Sequence, residues 1–157
     1  MAPPPLPRLS ELPRLEGVTN FRELGGLPTR DGRRVRERAL FRSGHWGAAT
    51  EGDREHMAKL GIRVVLDFRT DRDIELEGHD RLADEVAHVQ LPTGDPAAAN
   101  DIRSLLQSGR RDELHAHFGN GGAERYMRNG AAGMVTERSE SFAGFLRHLA
   151  EPDCPPA

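Results

Sequence analysis

The stretch 62–68 constrains the architecture of this chain more than any other. Ile62, Val64, Val65, Leu66 and Phe68 form an almost continuous apolar run. That pattern belongs to a strand buried on both faces, as in a parallel sheet with helices on either side. It predicts an α/β protein with this segment as its central strand. Ahead of it, Thr50 followed by Asp53 has the spacing of a capping box with Asp in place of Glu, which predicts a helix over 51–60 stopped at Gly61. Behind it, Thr70 or Asp71 caps a short acidic helix through Glu77, ended by Gly78. Val86 to Leu91 then reads as a second strand, stopped by Pro92 and Gly94. The unit is strand, helix, strand.

Upstream, Pro3, Pro4, Pro5, Pro7 and Pro13 each lack a backbone donor, so residues 1–16 read as a Pro-rich N-terminal arm and 17–157 as the folded domain. Phe21 to Leu24 and Val35 to Phe41 read as two β segments of a hairpin, with Asp31-Gly32 supplying a turn that tolerates positive φ. Downstream, residues 97–117 suggest helical pieces broken at Ser108-Gly109, and 122–135 a helix weakened by Gly130 and Gly133. Phe142, Phe145, Leu146 and Leu149 recur at i, i+3, i+4 and i+7, placing one apolar stripe on a helix that packs against a sheet. In an alternating α/β chain such a helix crosses to another parallel strand, whereas 151–157 includes Pro152, Pro155 and Pro156. The expectation is a C-terminally truncated domain.

With 157 residues, 36% hydrophobic and 30% charged, the chain fits one soluble domain with a modest core. Its formal net charge of -3 offers no broad cationic field, so general nucleic-acid binding is not expected. No apolar run approaches the roughly 20 residues of a membrane span, and a cytoplasmic location is the plain expectation. The single cysteine, Cys154, forms no internal disulfide and no multi-cysteine metal site.

Three Phe-Arg pairs recur at or near strand ends: Phe21-Arg22, Phe41-Arg42 and Phe68-Arg69. If each phenylalanine enters the core, its arginine points the other way, toward the sheet edge where α/β proteins place ligands. Converging guanidinium groups suit a phosphate; the plainer alternative is solvation or pairing with Glu23, Glu37, Asp67 and Asp71. Asp95 falls on the loop after the strand ending at Leu91, where a carboxylic acid can protonate a leaving group or simply close a turn before Pro96. His115 and His117 point to different helix faces, and no metal site is expected. His45 and Trp46 either cover part of a cleft or pack under a loop.

Asn20-Phe21-Arg22-Glu23-Leu24-Gly25-Gly26, then Leu40-Phe41-Arg42-Ser43-Gly44, then Gly61-Ile62 through Val65-Leu66-Asp67-Phe68-Arg69 with Asp71 to Glu75, follow in order. Together they resemble the bacterial and fungal tyrosine-protein phosphatases, the cysteine-dependent branch with dual-specificity and phosphoinositide-active members. The resemblance covers roughly residues 17–157. It implies a three-layer α/β/α sandwich around a mixed or parallel sheet, and hydrolysis of a phosphotyrosine protein or other phosphomonoester through a phosphocysteine, with no metal or other cofactor. In that chemistry a thiolate attacks phosphorus, an arginine five residues later binds the equatorial oxygens, and a loop aspartate protonates the leaving alcohol. Asp95 matches the loop-acid position in part of the family. Arg22, Arg42 and Arg69 match motif arginines near the phosphate end of the sheet.

The departure lies at the nucleophile. The family's His-Cys pair, followed by an Ala-Gly-Lys-Asp-Arg-Thr-Gly type loop, belongs after the Phe142 to Leu149 helix. Cys154 precedes the expected strand and no arginine follows it, so no nucleophile is assigned within the chain. Two expectations result. One is the front portion of a phosphatase, inactive alone. The other is a non-catalytic pseudophosphatase module that binds phosphorylated ligands or a partner chain, with possible self-association through an exposed sheet edge.

Overall fold

A computed structural model describes residues 12, 14–94, 105, 106 and 108–151. The chain runs through β1 (Arg22–Glu23), β2 (Phe41–Arg42), α1 (Glu51–Lys59), β3 (Val64–Asp67), α2 (Asp71–Glu77) and β4 (Ala87–Gln90). It continues through α3 (Arg111–Phe118), α4 (Gly122–Thr136) and α5 (Ser139–Ala150). The architecture is mixed α/β, with small sheets.

β1 and β2 pair antiparallel, with Arg22 opposite Arg42 and Glu23 opposite Phe41. The hairpin extends beyond these pairs through Gly44 N to Thr19 O at 2.7 Å, Leu24 N to Leu40 O at 2.8 Å and Gly26 N to Val35 O at 2.8 Å. Its tip closes at Thr29 N to Arg33 O, 2.9 Å, and Gly32 takes φ of 82° within the three-residue loop. The regular strands are shorter than the 21–24 and 35–41 read from sequence. Asn20, Gly26 and Arg38 adopt positive φ of 54°, 74° and 57°, and each turns the backbone out of the extended region.

The central unit follows the expected order. β3 and β4 are parallel, Val64 opposite Ala87 through Asp67 opposite Gln90, with α2 between them in sequence. The expected capping box closes at α1, Thr50 with Asp53; at α2 the cap is Thr70 rather than Asp71, and it too forms a box, with Asp73. The expected burial of the 62–68 strand on both faces is not met. Val64, Val65 and Leu66 are half-buried and Phe68 is 39% exposed. Among the described residues β3 pairs with one neighbour, β4, so its other edge lacks the strand that would shield it.

The core gathers Val18, Trp46, Ala49 and Met57, with Leu15, Phe21, Ile62, Val65, Leu82 and Val86 packed around them. Phe68 meets Phe145 of α5 edge-on, with ring centroids 5.6 Å apart. Gly144 is buried over Leu91, where an added Cβ would come within 2.9 Å of the leucine Cδ2. The apolar stripe of α5 is therefore only partly used: Phe142, Phe145 and Leu149 are half-buried, while Leu146 stays 61% exposed. Among the described residues the β3–β4 pair does not extend over Leu146.

Entry into the domain depends on Asp53, which is 2% exposed. Its carboxylate accepts the amides of Glu16 and Gly17, both at 2.8 Å, and of Thr50 at 3.0 Å. Gly17 lies so close to the turn before α1 that a Cβ there would sit 1.8 Å from the Ala48 carbonyl oxygen. Burial pushes the Asp53 carboxyl up, but the amides of Thr50, Gly17 and Glu16 outweigh it and hold it below its ordinary value of 3.8. A carboxyl lowered on folding stabilises above that ordinary value and loses its contribution as pH falls through the folded one. Asp53→Ala is expected to cost about 2–3 kcal/mol and Thr50→Ala about 1 kcal/mol in urea unfolding at neutral pH. The deficit of Asp53→Ala relative to the parent chain should shrink below about pH 4.

Candidate functional site

Strand alternation sorts the side chains at the end of β3. Val65, Asp67 and Arg69 lie on one face together with His88 and Gln90 of β4, their register neighbours. Arg69 folds back over Asp67. Its Nε lies 3.0 Å from both carboxylate oxygens, and its Nη2 donates to Asp67 Oδ2 and to Asp80 Oδ1, each at 2.7 Å. Its Nη1 donates to the Gly78 carbonyl at 3.0 Å and stands 3.7 Å from Glu77. The side chains of Arg69, Asp67 and Asp80 are 13%, 5% and 3% exposed, so this is a buried ion-pair network. Asp80 also accepts the Trp46 amide at 2.7 Å, which ties the network to the core.

Burial pushes the Asp67 carboxyl up, but the Arg69 guanidinium beside it, together with the Arg69 amide and His88, brings it below its ordinary range. Burial likewise opposes the charge on Arg69, which Asp67, Asp80 and Glu77 restore and strengthen. His88 Nε2 sits 3.3 Å from Asp67 Oδ2 and 3.6 Å from Asp80 Oδ2. Among the described residues Asp67, Asp80 and His88 form a group of metal-type donors lying within 4.8 Å of one another. The guanidinium already supplies positive charge to both carboxylates.

The sheet edge beyond this network is assembled from backbone. Leu91 N donates to Asp67 O at 2.7 Å and Thr93 N to Phe68 O at 3.1 Å, so the segment after β4 runs beside the Phe68–Thr70 turn. Gly94 lies against Thr70, where a Cβ would come within 3.1 Å of Thr70 Cγ2. Gln90 Nε2 donates to Arg69 O and to Asp71 Oδ1, bracing the turn that opens α2. From α5, Ser141 Oγ donates to Pro92 O at 2.7 Å, and Arg138, the residue that opens α5, reaches Gly94 O with its Nε at 3.4 Å. Asp95 itself, and Cys154, lie outside the described residues.

Arg22 and Arg42 occupy the other sheet. Phe21 stacks on Phe41 at 5.5 Å and meets Trp46 edge-on at 6.0 Å, so the phenylalanines turn inward. Alternation puts both arginines on the opposite face, directly across the ladder from each other. Arg22 Nη1 donates to the Asn20 carbonyl at 3.2 Å, and among the described residues neither arginine has a carboxylate partner. The three arginines thus divide: two have no carboxylate partner among the described residues, and the third is enclosed between aspartates. Sequence anticipated Asp67 as an alternative partner for Arg69 but missed Asp80, His88, Ser141 and Arg138. Asp80 follows α2 in an irregular segment with no spacing that links it to Asp67. His45 Nδ1 accepts the Gly47 amide, and Trp46 is a core residue, 3% exposed.

The model of the tyrosine phosphatase family matches residues 13–157. The chain belongs to that family. It is also similar to the protein named "Putative tyrosine-protein phosphatase" of Cupriavidus necator, 45% identical over 53 residues. That match covers 34% of this chain and 19% of the relative, so the chain spans about a fifth of the length of the curated protein it matches.

Removing the guanidinium would leave two buried carboxylates facing each other. Arg69→Met is therefore expected to destabilise the chain by about 3–5 kcal/mol. Arg69→Lys should recover only part of this, because an ammonium cannot make the forked contacts of Nε and Nη2. Chemical denaturation of the two variants checks the order.

Proposed function

We propose that these residues serve phosphomonoester hydrolysis through a phosphocysteine, with a phosphotyrosine protein or related phosphomonoester as substrate. The observation that carries this reading beyond family membership is the Arg22–Arg42 pair. Like charges directly opposite in an antiparallel ladder destabilise it, and here no carboxylate among the described residues relieves them. An anion between them would. In this reading Arg22 and Arg42 contact the substrate phosphate, while Arg69 holds the sheet edge through Asp67 and Asp80 and contributes position more than charge.

Asp95 is assigned as the general acid that protonates the leaving alcohol. Its support is the path of the segment before it: Gly94 packs on Thr70, and Pro92 and Gly94 are tethered to α5 by Ser141 and Arg138. The α/β/α layering of the family accords with Val65 and Val86 facing the Met57 core while Phe68 and Leu91 face α5. The domain expected over 17–157 takes in Leu15 and Glu16 as well, since Leu15 packs on the core and Asp53 accepts the Glu16 amide, and its setting is cytoplasmic. Cys154 is preceded by Asp153 and followed by Pro155-Pro156, which do not match the family's His-Cys pair and Ala-Gly-Lys type loop, so these residues are assigned scaffold, acid and phosphate contacts and Cys154 is not assigned as the attacking thiolate.

The isolated chain should show no hydrolysis of p-nitrophenyl phosphate. Turnover abolished by Cys154→Ser would overturn this assignment. In a polypeptide joining these residues to a cysteine-bearing phosphate loop, Asp95→Asn should lower kcat by about 10²-fold or more. A general acid works protonated, so the same change should also remove the fall in kcat on the alkaline side. A second reading, a non-catalytic module, draws on the same arginines. It would be favoured if the extended polypeptide retained phosphotyrosyl peptide without releasing phosphate.

A further inference from the structure

The hairpin that carries Arg22 and Arg42 concentrates charge of one sign. Residues 22–42 hold seven arginines, at 22, 30, 33, 34, 36, 38 and 42, against Glu23, Asp31 and Glu37. That is a net +4 within a chain of formal net charge -3, so the remainder carries -7. Elsewhere arginines are commonly spent on neighbours: Arg54 on Glu51, Arg72 on Glu75, Arg110 on Glu113, Arg128 on Glu124 and Arg147 on Glu140. On the hairpin Arg33 pairs with Asp31 at 2.6 Å. Arg34 donates Nη1 to the Gly26 carbonyl, a neutral partner, at 2.7 Å. Among the described residues Arg30, Arg34 and Arg38 have no carboxylate within ion-pair distance, and all three are exposed. With Arg22 and Arg42 they make five guanidinium groups on one hairpin that lack a carboxylate partner among the described residues.

We propose that the hairpin is a recognition surface for an acidic peptide, selecting substrates whose phosphorylated residue is flanked by Asp, Glu or further phosphates. The proposal rests on the phosphatase reading above for calling that peptide a substrate. Arg22 and Arg42 sit at the base of the hairpin, and Arg30, Arg34 and Arg38 lie further along it. An extended peptide with its phosphate at the base therefore meets cationic groups along its length. Such pairing raises association rate and specificity, and salt screens it.

A bilayer fits less well. The hairpin tip residues Pro28-Thr29-Arg30-Asp31-Gly32-Arg33 are exposed and offer no aromatic or large aliphatic side chain to insert. Asp31 also stays ionised there. Hydrogen bonds from the Arg33 side chain and then from Thr29 lower its carboxyl to about 2, placing a fixed negative charge at the tip. Single-stranded nucleic acid lacks its stacking platform for the same want of aromatics.

The test uses the 157-residue chain and fluorescein-labelled peptides read by anisotropy. One phosphotyrosyl peptide is flanked by Glu and Asp, a second by Ser and Gly, and a third carries the acidic flanks without the phosphate. The acidic phosphopeptide should bind about tenfold or more tightly than the neutral one at low salt, a preference that shrinks as ionic strength rises. Arg30→Glu/Arg34→Glu/Arg38→Glu should erase the preference, and Arg30→Gln/Arg34→Gln/Arg38→Gln should weaken it without reversing charge. Circular dichroism confirms that both variants fold. Equal binding of acidic and neutral phosphopeptides overturns the proposal, as does an acidic preference that survives charge reversal. Displacement of the acidic peptide by vesicles of phosphatidylserine and phosphatidylcholine, with tighter retention on them, also overturns it. If the acidic peptide binds equally with and without phosphate, and charge reversal abolishes both, the recognition surface stands and the phosphatase assignment of Arg22 and Arg42 falls.

Discussion

One guanidinium organises the middle of this molecule. Arg69 leaves the end of β3, turns back on Asp67 and draws in Asp80 from the segment after α2, while Asp80 reaches Trp46 in the core. A single side chain thereby fixes the strand end, the turn into α2, the return segment and the aromatic at the base of the first sheet. Its burial is tolerable because its donors are met by Asp67, Asp80 and the Gly78 carbonyl; an unpaired charge at the same depth would cost several kcal/mol. The turn held this way is the one against which the post-β4 segment lies. Precision at the sheet edge is thus derived from an ion-pair network set behind it.

The first sheet works by the opposite principle. Its inward face is aromatic, with Phe21 stacked on Phe41 and wedged against Trp46, and this apolar contact allows two strands of two residues to persist. Its outward face places Arg22 against Arg42 and is not balanced by carboxylates among the described residues. A charge network that satisfies itself can stabilise but cannot readily bind. One that does not satisfy itself costs stability and remains available to an anion.

Local signals in the sequence were legible where they are self-contained. The capping box at Thr50 closed as its spacing predicted, Thr70 rather than Asp71 proved to be the cap of α2, and Gly61 and Gly78 took the positive φ of helix stops. The strand–helix–strand order, the parallel pairing and the inward turn of Phe21 and Phe41 followed from periodicity and motif order. What periodicity could not supply was the environment of each element. Burial of 62–68 depends on how many strands lie beside it, and the exposure of Leu146 depends on how wide a sheet α5 covers. Left-handed residues at Asn20 and Arg38 cut the first strands short, and neither is a glycine whose presence would announce it. Asp80 is the plainest omission, since its pairing with Arg69 spans an entire helix and leaves no local mark.

The close approach of Gly17 to the Ala48 carbonyl has a consequence for how this lineage can diverge. The obstructing atom belongs to the main chain, so no adjustment of neighbouring side chains makes room for a methyl group. A descendant carrying any other amino acid at that position must also have displaced the loop between Trp46 and Thr50. Replacement at this one site therefore marks a remodelled N-terminal junction wherever it occurs.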